Sequence, residues 1–315
     1  MGGTMMKAMV YNKKNGRFTM QEVATPEPKQ GEVLIRVHAS SINAADYRTM
    51  KLGIGPKSGI YGADIAGTVV SLGEGVTRVS VGDEVQADVA TDGFGGFAEY
   101  AVAPETLLGK KPATVSFETA AATTLAGVTA MQAFRVSGID VRGKRVLVIG
   151  ASGGVGTFAV QLAKHYGAEV TGVTSARNLE QARAIGVDYV IDYRKEDCLS
   201  GGKQYDLILA VHGDASPTEY KHALAKGGAA IIVGGALNRV FHIMAFGWLY
   251  SMGGKRVRVL AARPNAADTE ALMQLVASGA IRPVIEKIVP LEELDEAFHY
   301  VAAGHASGKV VVSVV

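Results

Sequence analysis

Residues 145–166 read RVLVIGASGGVGTFAVQLAKHY, and this stretch decides the fold. Arg145–Ile149 is a short, β-branched apolar run, the length of one buried strand. Gly150–Gly156 (GASGGVG) is a tight glycine-rich turn. Thr157–Tyr166 has helical spacing, and Gly167 stands where helices commonly stop. Strand, glycine turn and helix in that order hold a dinucleotide pyrophosphate. The glycines let the backbone come close, and the unpaired N–H groups of the first helical turn face the anion. At G-x-G-x-x-G spacing the positions are Ala151, Gly153 and Gly156, so alanine replaces the first glycine. Such a turn alone also occurs in α/β proteins that bind no nucleotide. Context favours the nucleotide: Glu169–Ser175 (EVTGVTS) is a second strand, and residues 145–175 have the length of one βαβ crossover.

The end of that second strand bears on which dinucleotide is bound. NAD enzymes carry Asp or Glu about 20 residues past the glycines, on the ribose hydroxyls. Here the strand ends Val173-Thr174-Ser175-Ala176-Arg177-Asn178, with no acid. Hydroxyls, an amide and a guanidinium suit a 2′-phosphate, so NADPH is expected over NADH. Ser175 and Asn178 are also good caps for a helix starting near Leu179, and the two roles are compatible.

Composition narrows the class. A chain of 315 residues suggests about two domains. Hydrophobic residues make up 48% and charged residues 20%, enough apolar matter for full-sized cores. Lys+Arg is 32 against Asp+Glu 30, so the charge carries no footprint for nucleic acid or an anionic membrane. Cys198 is the single cysteine, which excludes an internal disulfide and points to a reducing, cytoplasmic setting. The longest apolar stretch, Val240–Met252, is too short to span a bilayer. Met1-Gly2-Gly3-Thr4 lacks the basic and apolar regions of a signal peptide.

Residues 7–115 read as β-rich. Strands are expected at Lys7–Tyr11, Val33–Ala39, Ile65–Leu72, Asp83–Val89 and Phe97–Val102, divided by glycine turns, in a compact twisted barrel. From Phe117 the pattern changes. Glu118–Phe134 reads as a buried helix leading into the glycine strand. Further strands follow at Val187–Tyr193, Tyr205–Val211, Ala229–Val233 and Arg256–Ala262. Ser216-Pro217-Thr218-Glu219 is a capping box opening a helix that Gly227 should close. These strands with helical crossovers make a doubly wound sheet. The tail reads helix (Asp268–Ser278), strand (Val284–Val289), helix (Leu291–Ala303) and strand (Lys309–Val315), the last returning to the first domain.

Several motifs in this order resemble the medium-chain dehydrogenase/reductase superfamily, in its zinc-free quinone oxidoreductase branch, which includes zeta-crystallin. They are SINAADYRTMKLG at Ser41–Gly53, GADIAGTVVSLGEGVTRVSVGDEV at Gly62–Val85, GGFAEYAVAPE at Gly95–Glu105, GASGGVGTFAVQLAK at Gly150–Lys164, VDYVIDY at Val187–Tyr193 and GHASGKVVV at Gly304–Val312. The resemblance implies an α/β chain: a GroES-like β-barrel domain (1–122 and 264–315) and a doubly wound parallel-sheet Rossmann domain (123–263) that binds NADPH. It also implies dimers or tetramers, with a homodimer expected. Ala151, Ser152, Gly153, Gly154 and Val155 match the pyrophosphate loop. Ser175, Arg177 and Asn178 match the 2′-phosphate region, Tyr193 the adenosine end and Thr129 the nicotinamide, and Gly156 and Thr174 are further expected cofactor contacts. His212-Gly213 and Gly234-Gly235-Ala236 follow the fourth and fifth strands, whose C-terminal ends face the ligand crevice. Asn43, Asp46 and Tyr47 match the segment on the substrate side, with Tyr47 standing where many relatives have Trp.

Zinc-dependent relatives would place a cysteine near Ser40–Asn43, a His-Glu pair at Ala63-Asp64 and four cysteines near Ala90–Gly96. One cysteine in the whole chain cannot build either site, so no metal is expected. Without a Lewis acid, a conjugated acceptor is the easier substrate, because incoming charge spreads to an oxygen several atoms away. Tyr47 or Asn43 would donate to that oxygen, with water giving the final proton. Tyr47 equally suits a packed barrel aromatic. The expected activity is NADPH-dependent reduction of a quinone or an α,β-unsaturated carbonyl. A zinc-free alcohol/aldehyde dehydrogenase and a non-catalytic NADPH-binding sensor or structural protein are the alternatives. Tyr47 and Lys51 form Y-x-x-x-K by coincidence, since the pair precedes the glycine turn. Cys198 has no nearby histidine and is no nucleophile, and Lys255, Arg256 and Arg258 read as a solvated edge. Val240–Met252 reads as core, or as the wall of a pocket or subunit interface.

Overall fold

The structure is a computed structural model describing residues 4–235, 237–251 and 253–315. Three sequence expectations therefore fall partly outside the described residues: those on Met1–Gly3, on Ala236 and on Met252. The chain divides into two compact units, Met1–Val128 with Pro264–Val315, and Thr129–Arg263.

The first unit opens on an antiparallel pair, β1 (Met5–Asn12) and β2 (Arg17–Ala24). It continues through β3 (Glu32–Ser41), α1 (Ala44–Leu52), β4 (Asp64–Leu72), β5 (Glu84–Asp88), β6 (Tyr100–Pro104), β7 (Gly109–Lys110) and the part of α2 (Phe117–Ser137) up to Val128. In β3 the alternation of VLIRVHA is realised directly: Val33, Ile35, Val37 and Ala39 are fully buried, and Arg36 points outward. The second unit holds β8 (Arg145–Ile149), α3 (Gly154–His165), β9 (Glu169–Thr174), α4 (Leu179–Ala184), β10 (Tyr189–Asp192), β11 (Tyr205–Ala210), α5 (Pro217–Ala223), β12 (Leu224–Ile232), α6 (Leu237–Tyr250) and β13 (Arg256–Val259). The chain then returns to the first unit with α7 (Ala266–Ala277), β14 (Ile285–Pro290), α8 (Leu294–Ala302) and β15 (Lys309–Ser313).

In the second unit the sheet order is β10-β9-β8-β11-β12-β13, every neighbouring pair parallel. The order reverses between β8 and β11, which is the switch point where α/β sheets bind ligands at strand C-termini. In the first unit β15 pairs antiparallel with β3, so the expected return of the last strand is realised. The main sheet runs β14-β15-β3-β4-β5-β7, with β6 also on β3. Its core is aliphatic, around Val33, Ile35, Val69 and Val85. A second cluster carries the aromatics: Phe18 meets Tyr61, Phe97 and Phe298 edge-on at 4.9–6.1 Å.

Three local expectations are corrected. The strand expected at Phe97–Val102 lies at Tyr100–Pro104. Phe97 instead hydrogen-bonds outside the ladder, its N–H to Tyr61 O (3.0 Å) and its carbonyl from Met9 N–H (2.9 Å). The helix opened by Ser216 does form its capping box, but it ends at Ala223 rather than at Gly227. Buried Leu224 already pairs with Tyr205, and Gly227 sits in β12 with φ +80°, where the register on β11 shifts. Finally, α6 is only partly core. Val240, Ile243, Gly247 and Tyr250 form its inward stripe, while Phe241, Met244, Phe246, Leu249 and Trp248 (68% exposed) lie on its surface. Among the described residues no helix is long and apolar enough to cross a membrane.

Candidate active site

The glycine loop expected to hold a pyrophosphate is built where β8 hands over to α3. Gly150 takes φ +86°, the conformation glycine adopts freely, and so supplies the sharp turn one residue before the replaced glycine. Ala151 is fully buried, and its N–H donates to Val173 O at 3.0 Å. A Cβ on Gly172 of β9 would lie 3.1 Å from the Ala151 Cβ. Glycine at 172 thus makes room for the methyl that the fingerprint normally lacks. Gly156 has the opposite constraint: a Cβ there would sit 1.9 Å from Gly150 O. Gly153 caps α3 in an extended conformation, and the nearest atom to a Cβ there is 3.7 Å away. The first backbone bond of α3 is Thr157 N–H to Gly153 O at 3.0 Å, which leaves the N–H groups of Gly154, Val155 and Gly156 ahead of it at the helix start.

The loop is tied to the end of β9. Thr174 Oγ1 donates to Ser152 Oγ at 2.7 Å. Beyond Thr174, buried Ser175 leads into a 3-10 turn at residues 176–178, in which Asn178 is buried and Arg177 is exposed. Neither Ser175 nor Asn178 caps with its side chain, so the capping role expected for them is not realised. Tyr193 follows β10 and is exposed, with the Arg194 guanidinium 5.8 Å from its ring centre. His212 follows β11, its N–H donating to Ile149 O at 3.2 Å and its side chain open to solvent. Gly213 N–H donates to Gly234 O at 2.9 Å. Gly235 has φ +135° and packs on Gly213, where a Cβ would meet Gly213 O at 2.1 Å. The loops after β8, β9, β10, β11 and β12 thus gather these residues at the C-terminal ends of neighbouring strands. Thr129 lies on α2, half-buried. The glycine cradle, the free helix start and the guanidinium beside hydroxyls fit a phosphorylated dinucleotide.

The barrel unit carries a second constellation, around the start of α1. Asn43 caps that helix, and Asp46, three residues on, is wholly buried. Asp46 accepts three backbone N–H bonds, from Asn43 (2.7 Å), Gly62 (3.0 Å) and Ala63 (3.1 Å). The Asn43 side chain turns inward: Nδ2 donates to Asp64 Oδ2 at 2.8 Å and Ser41 O at 3.1 Å. Its Oδ1 accepts from the ammonium of Lys309 at 2.5 Å. Both amide hydrogens are therefore spent inside the barrel, and none is left for the oxyanion role expected of Asn43. Tyr47 follows on α1, half-buried, with Lys51 Nζ 5.8 Å from its ring centre. Its hydroxyl forms no hydrogen bond to a described residue.

Sequence reasoning missed the partners of Asn43. Asp64 is 0% exposed and saturated: Oδ1 accepts from Leu125 N–H at 2.8 Å, and Oδ2 from Ser41 Oγ at 2.5 Å, from Asn43 and from Lys309 at 3.5 Å. Burial pushes the carboxyls of Asp46 and Asp88 up to about 7. It also pulls Lys309 below its usual range, against the attraction of Asp64, Asp46 and Asp88. Raised carboxyls reduce the negative charge gathered around the one ammonium. This donor set does not fit zinc. Its carboxyls are engaged, that of Asp46 by three backbone N–H groups and that of Asp64 by four donors, and it offers no thiolate, no imidazole and an ammonium already in place. Among the described residues no group of three or more His, Cys, Asp or Glu could hold a metal ion.

Residues 29–113 match the alcohol dehydrogenase GroES-like domain family, and residues 185–312 match the family described as zinc-binding dehydrogenase. The chloroplast envelope quinone oxidoreductase homolog of Arabidopsis thaliana is 34% identical over 99% of both chains. The chloroplastic NADPH-dependent alkenal/one oxidoreductase of Arabidopsis thaliana is 33% identical over 98% of this chain and 79% of the relative. Among solved structures, the quinone oxidoreductase from Coxiella burnetii superposes with a TM-score of 0.88 at 28% identity, covering 99% of this chain and all of the other. The chain belongs to the medium-chain dehydrogenase/reductase superfamily, alongside its quinone oxidoreductase homologues. The resemblance read from the sequence motifs is thereby borne out, as is the two-part architecture of GroES-like barrel and parallel Rossmann sheet.

Proposed function

We propose that this chain is an NADPH-dependent, zinc-independent oxidoreductase that reduces quinones or α,β-unsaturated carbonyls. The observation that carries the reading is similarity over nearly the whole of this chain to proteins named quinone oxidoreductase homolog and alkenal/one oxidoreductase, on a chain with a glycine-rich turn at residues 150–156. When bound, NADPH supplies the hydride. The N–H groups of Gly154, Val155 and Gly156, with Ala151, Ser152 and Gly153, hold the pyrophosphate. Ser175, Arg177 and Asn178, steadied by Thr174, take the 2′-phosphate. Tyr193 serves the adenosine end, Thr129 and His212 the nicotinamide, and Gly234 and Gly235 line the ligand crevice. Segment 1–122 with 264–315 forms the acceptor domain, and 123–263 the nucleotide domain.

On α1 the unbonded hydroxyl of Tyr47 donates to the acceptor oxygen as negative charge collects there. For an alkenal, hydride adds at the β-carbon and water protonates the α-carbon, so no metal is required to polarise an isolated carbonyl. Asn43, its amide engaged, holds the start of α1 rather than the substrate. Zinc-independence is supported by the single cysteine and by the ammonium beside Asp64. The exposed apolar face of α6 supports a homodimer, and a lone reduced thiol supports a cytoplasmic location.

Steady-state oxidation of NADPH tests the reading, with a quinone, a 2-alkenal and a saturated aldehyde offered in turn and a metal chelator present. Turnover of the conjugated acceptors alone, unchanged by chelator, is expected. Turnover of the saturated aldehyde, or loss of activity on chelation, would favour an alcohol dehydrogenase instead. NADPH binding with no turnover of any acceptor would point to a sensor or structural protein.

A further inference from the structure

We propose that Lys309 is a positioning residue of the acceptor site: with Asp64 it clamps the Asn43 carboxamide and so fixes the first turn of α1, which carries Tyr47. This rests on the reading above that Tyr47 faces the acceptor. Lys309 is 3% exposed, and its Nζ reaches Asn43 Oδ1 at 2.5 Å, Ile42 O at 3.5 Å and Asp64 Oδ2 at 3.5 Å. A buried lysine that met only solvent-like partners would be a costly way to start a strand. Here two contacts, Ile42 and Asn43, lie at the junction between β3 and α1, and the third, Asp64 at the start of β4, itself holds Asn43 and Ser41 there.

The junction is then locked from both sides. Asn43 is held through its carbonyl oxygen by Lys309 and through its amide by Asp64 and Ser41. Its own backbone N–H is held by Asp46, whose other oxygen is pinned by Gly62 and Ala63 at the approach to β4. Tyr47 is the next residue after Asp46, so the ring leaves the helix one step beyond the clamp. Remove the ammonium and Asn43 Oδ1 keeps only the Asp46 N–H of the capping box, in a site nearly closed to solvent. The carboxamide then loses the contact that fixes its rotation, and the first turn of α1 loosens with it. The fold does not need a charge for this purpose: β15 is already secured to β3 and β14 by backbone pairing.

The test compares two variants that remove both charges together. Both pairs carry the same asparagine amide at position 64, and they differ at position 309: Lys309→Gln with Asp64→Asn keeps a donor there for Asn43 Oδ1, whereas Lys309→Met with Asp64→Asn removes it. Lys309→Met alone strands a buried carboxylate and is expected to lower Tm sharply, so it serves only as a control. Four quantities are read on the full chain: Tm, the NADPH Kd, kcat and KM for a 2-alkenal, and the fluorine spectrum of protein carrying 3-fluorotyrosine. The Tyr47 line is assigned by its loss in Tyr47→Phe. The methionine pair should keep Tm within a few degrees of the glutamine pair and the NADPH Kd within about twofold of wild type. It should lose at least tenfold in kcat/KM and shift the Tyr47 line, and the glutamine pair should recover most of both. The proposal is overturned if both pairs keep wild-type kcat/KM and an unmoved Tyr47 line. Failure of both pairs to fold, or losses confined to Tm, would also overturn it by making the cluster purely structural. If the wild type reduces no conjugated acceptor, the functional reading fails, while the Tyr47 line still decides whether Lys309 positions α1.

Discussion

Gly156→Ala should lower the stability of the nucleotide-binding unit by about 2 kcal/mol and abolish tight NADPH binding. Two effects oppose each other at this position. Alanine is the better helix former by about 1 kcal/mol, which favours the substitution. The added Cβ, however, would stand 1.9 Å from Gly150 O and 3.0 Å from the Ala151 carbonyl carbon, both backbone. Neither can move without opening the turn between β8 and α3, and overpacking of this kind costs about 3 kcal/mol. The net loss corresponds to roughly 4–8 °C in Tm. Affinity suffers more than stability, because the segment that shifts is the loop proposed to hold the pyrophosphate. Gly153→Ala is the informative contrast. Its φ of −80° suits alanine and nothing lies within 3.7 Å of the new methyl, so Tm should hold. NADPH affinity should still fall, if that surface is the one the phosphates approach. Thermal unfolding with and without NADPH, on both variants, checks the pair; a stable Gly156→Ala that binds NADPH normally would contradict the assignment of the loop.

Arg177→Ala should raise the Kd for NADPH by about tenfold to a hundredfold and leave NADH nearly untouched. A hydrogen bond to a charged group contributes about 1.5–3 kcal/mol, and each 1.4 kcal/mol is a factor of ten. Arg177 is exposed at the end of β9, beside Ser175 and Asn178, and no acid stands there to favour a free ribose. Titration of both nucleotides against wild type and variant measures the effect. Equal losses for NADH and NADPH would mean that Arg177 supports the loop rather than the 2′-phosphate.

How far the molecule could be read from its sequence depends on the distance over which each feature is decided. The stretch from β8 to α3 was legible because its determinants are local: an apolar strand, a glycine turn and a helix within a few residues of each other. The alanine at 151 was visible as a departure, but its compensation was not. The residue that accommodates the methyl is Gly172, on the neighbouring strand, and only the sheet brings them together. The clamp on Asn43 was hidden more deeply. Lys309 and Asp64 lie 266 and 21 positions from Asn43, and a lysine opening an apolar strand reads as an ordinary flank. Asn43 therefore read as a donor to substrate, whereas its hydrogens are already used. In α6 composition misled in the other direction. The inward stripe and the outward face are both apolar, so periodicity could not mark the exposed side.

The central claim is hydride delivery to a conjugated carbon without a metal, and the most direct test follows the label. NADPH deuterated at the transferred position would be incubated with a 2-alkenal and excess chelator, and the product examined by NMR. A saturated aldehyde carrying deuterium at the β-carbon is the predicted product. An unsaturated alcohol with deuterium on the former carbonyl carbon would contradict the account and make this chain an aldehyde-reducing dehydrogenase.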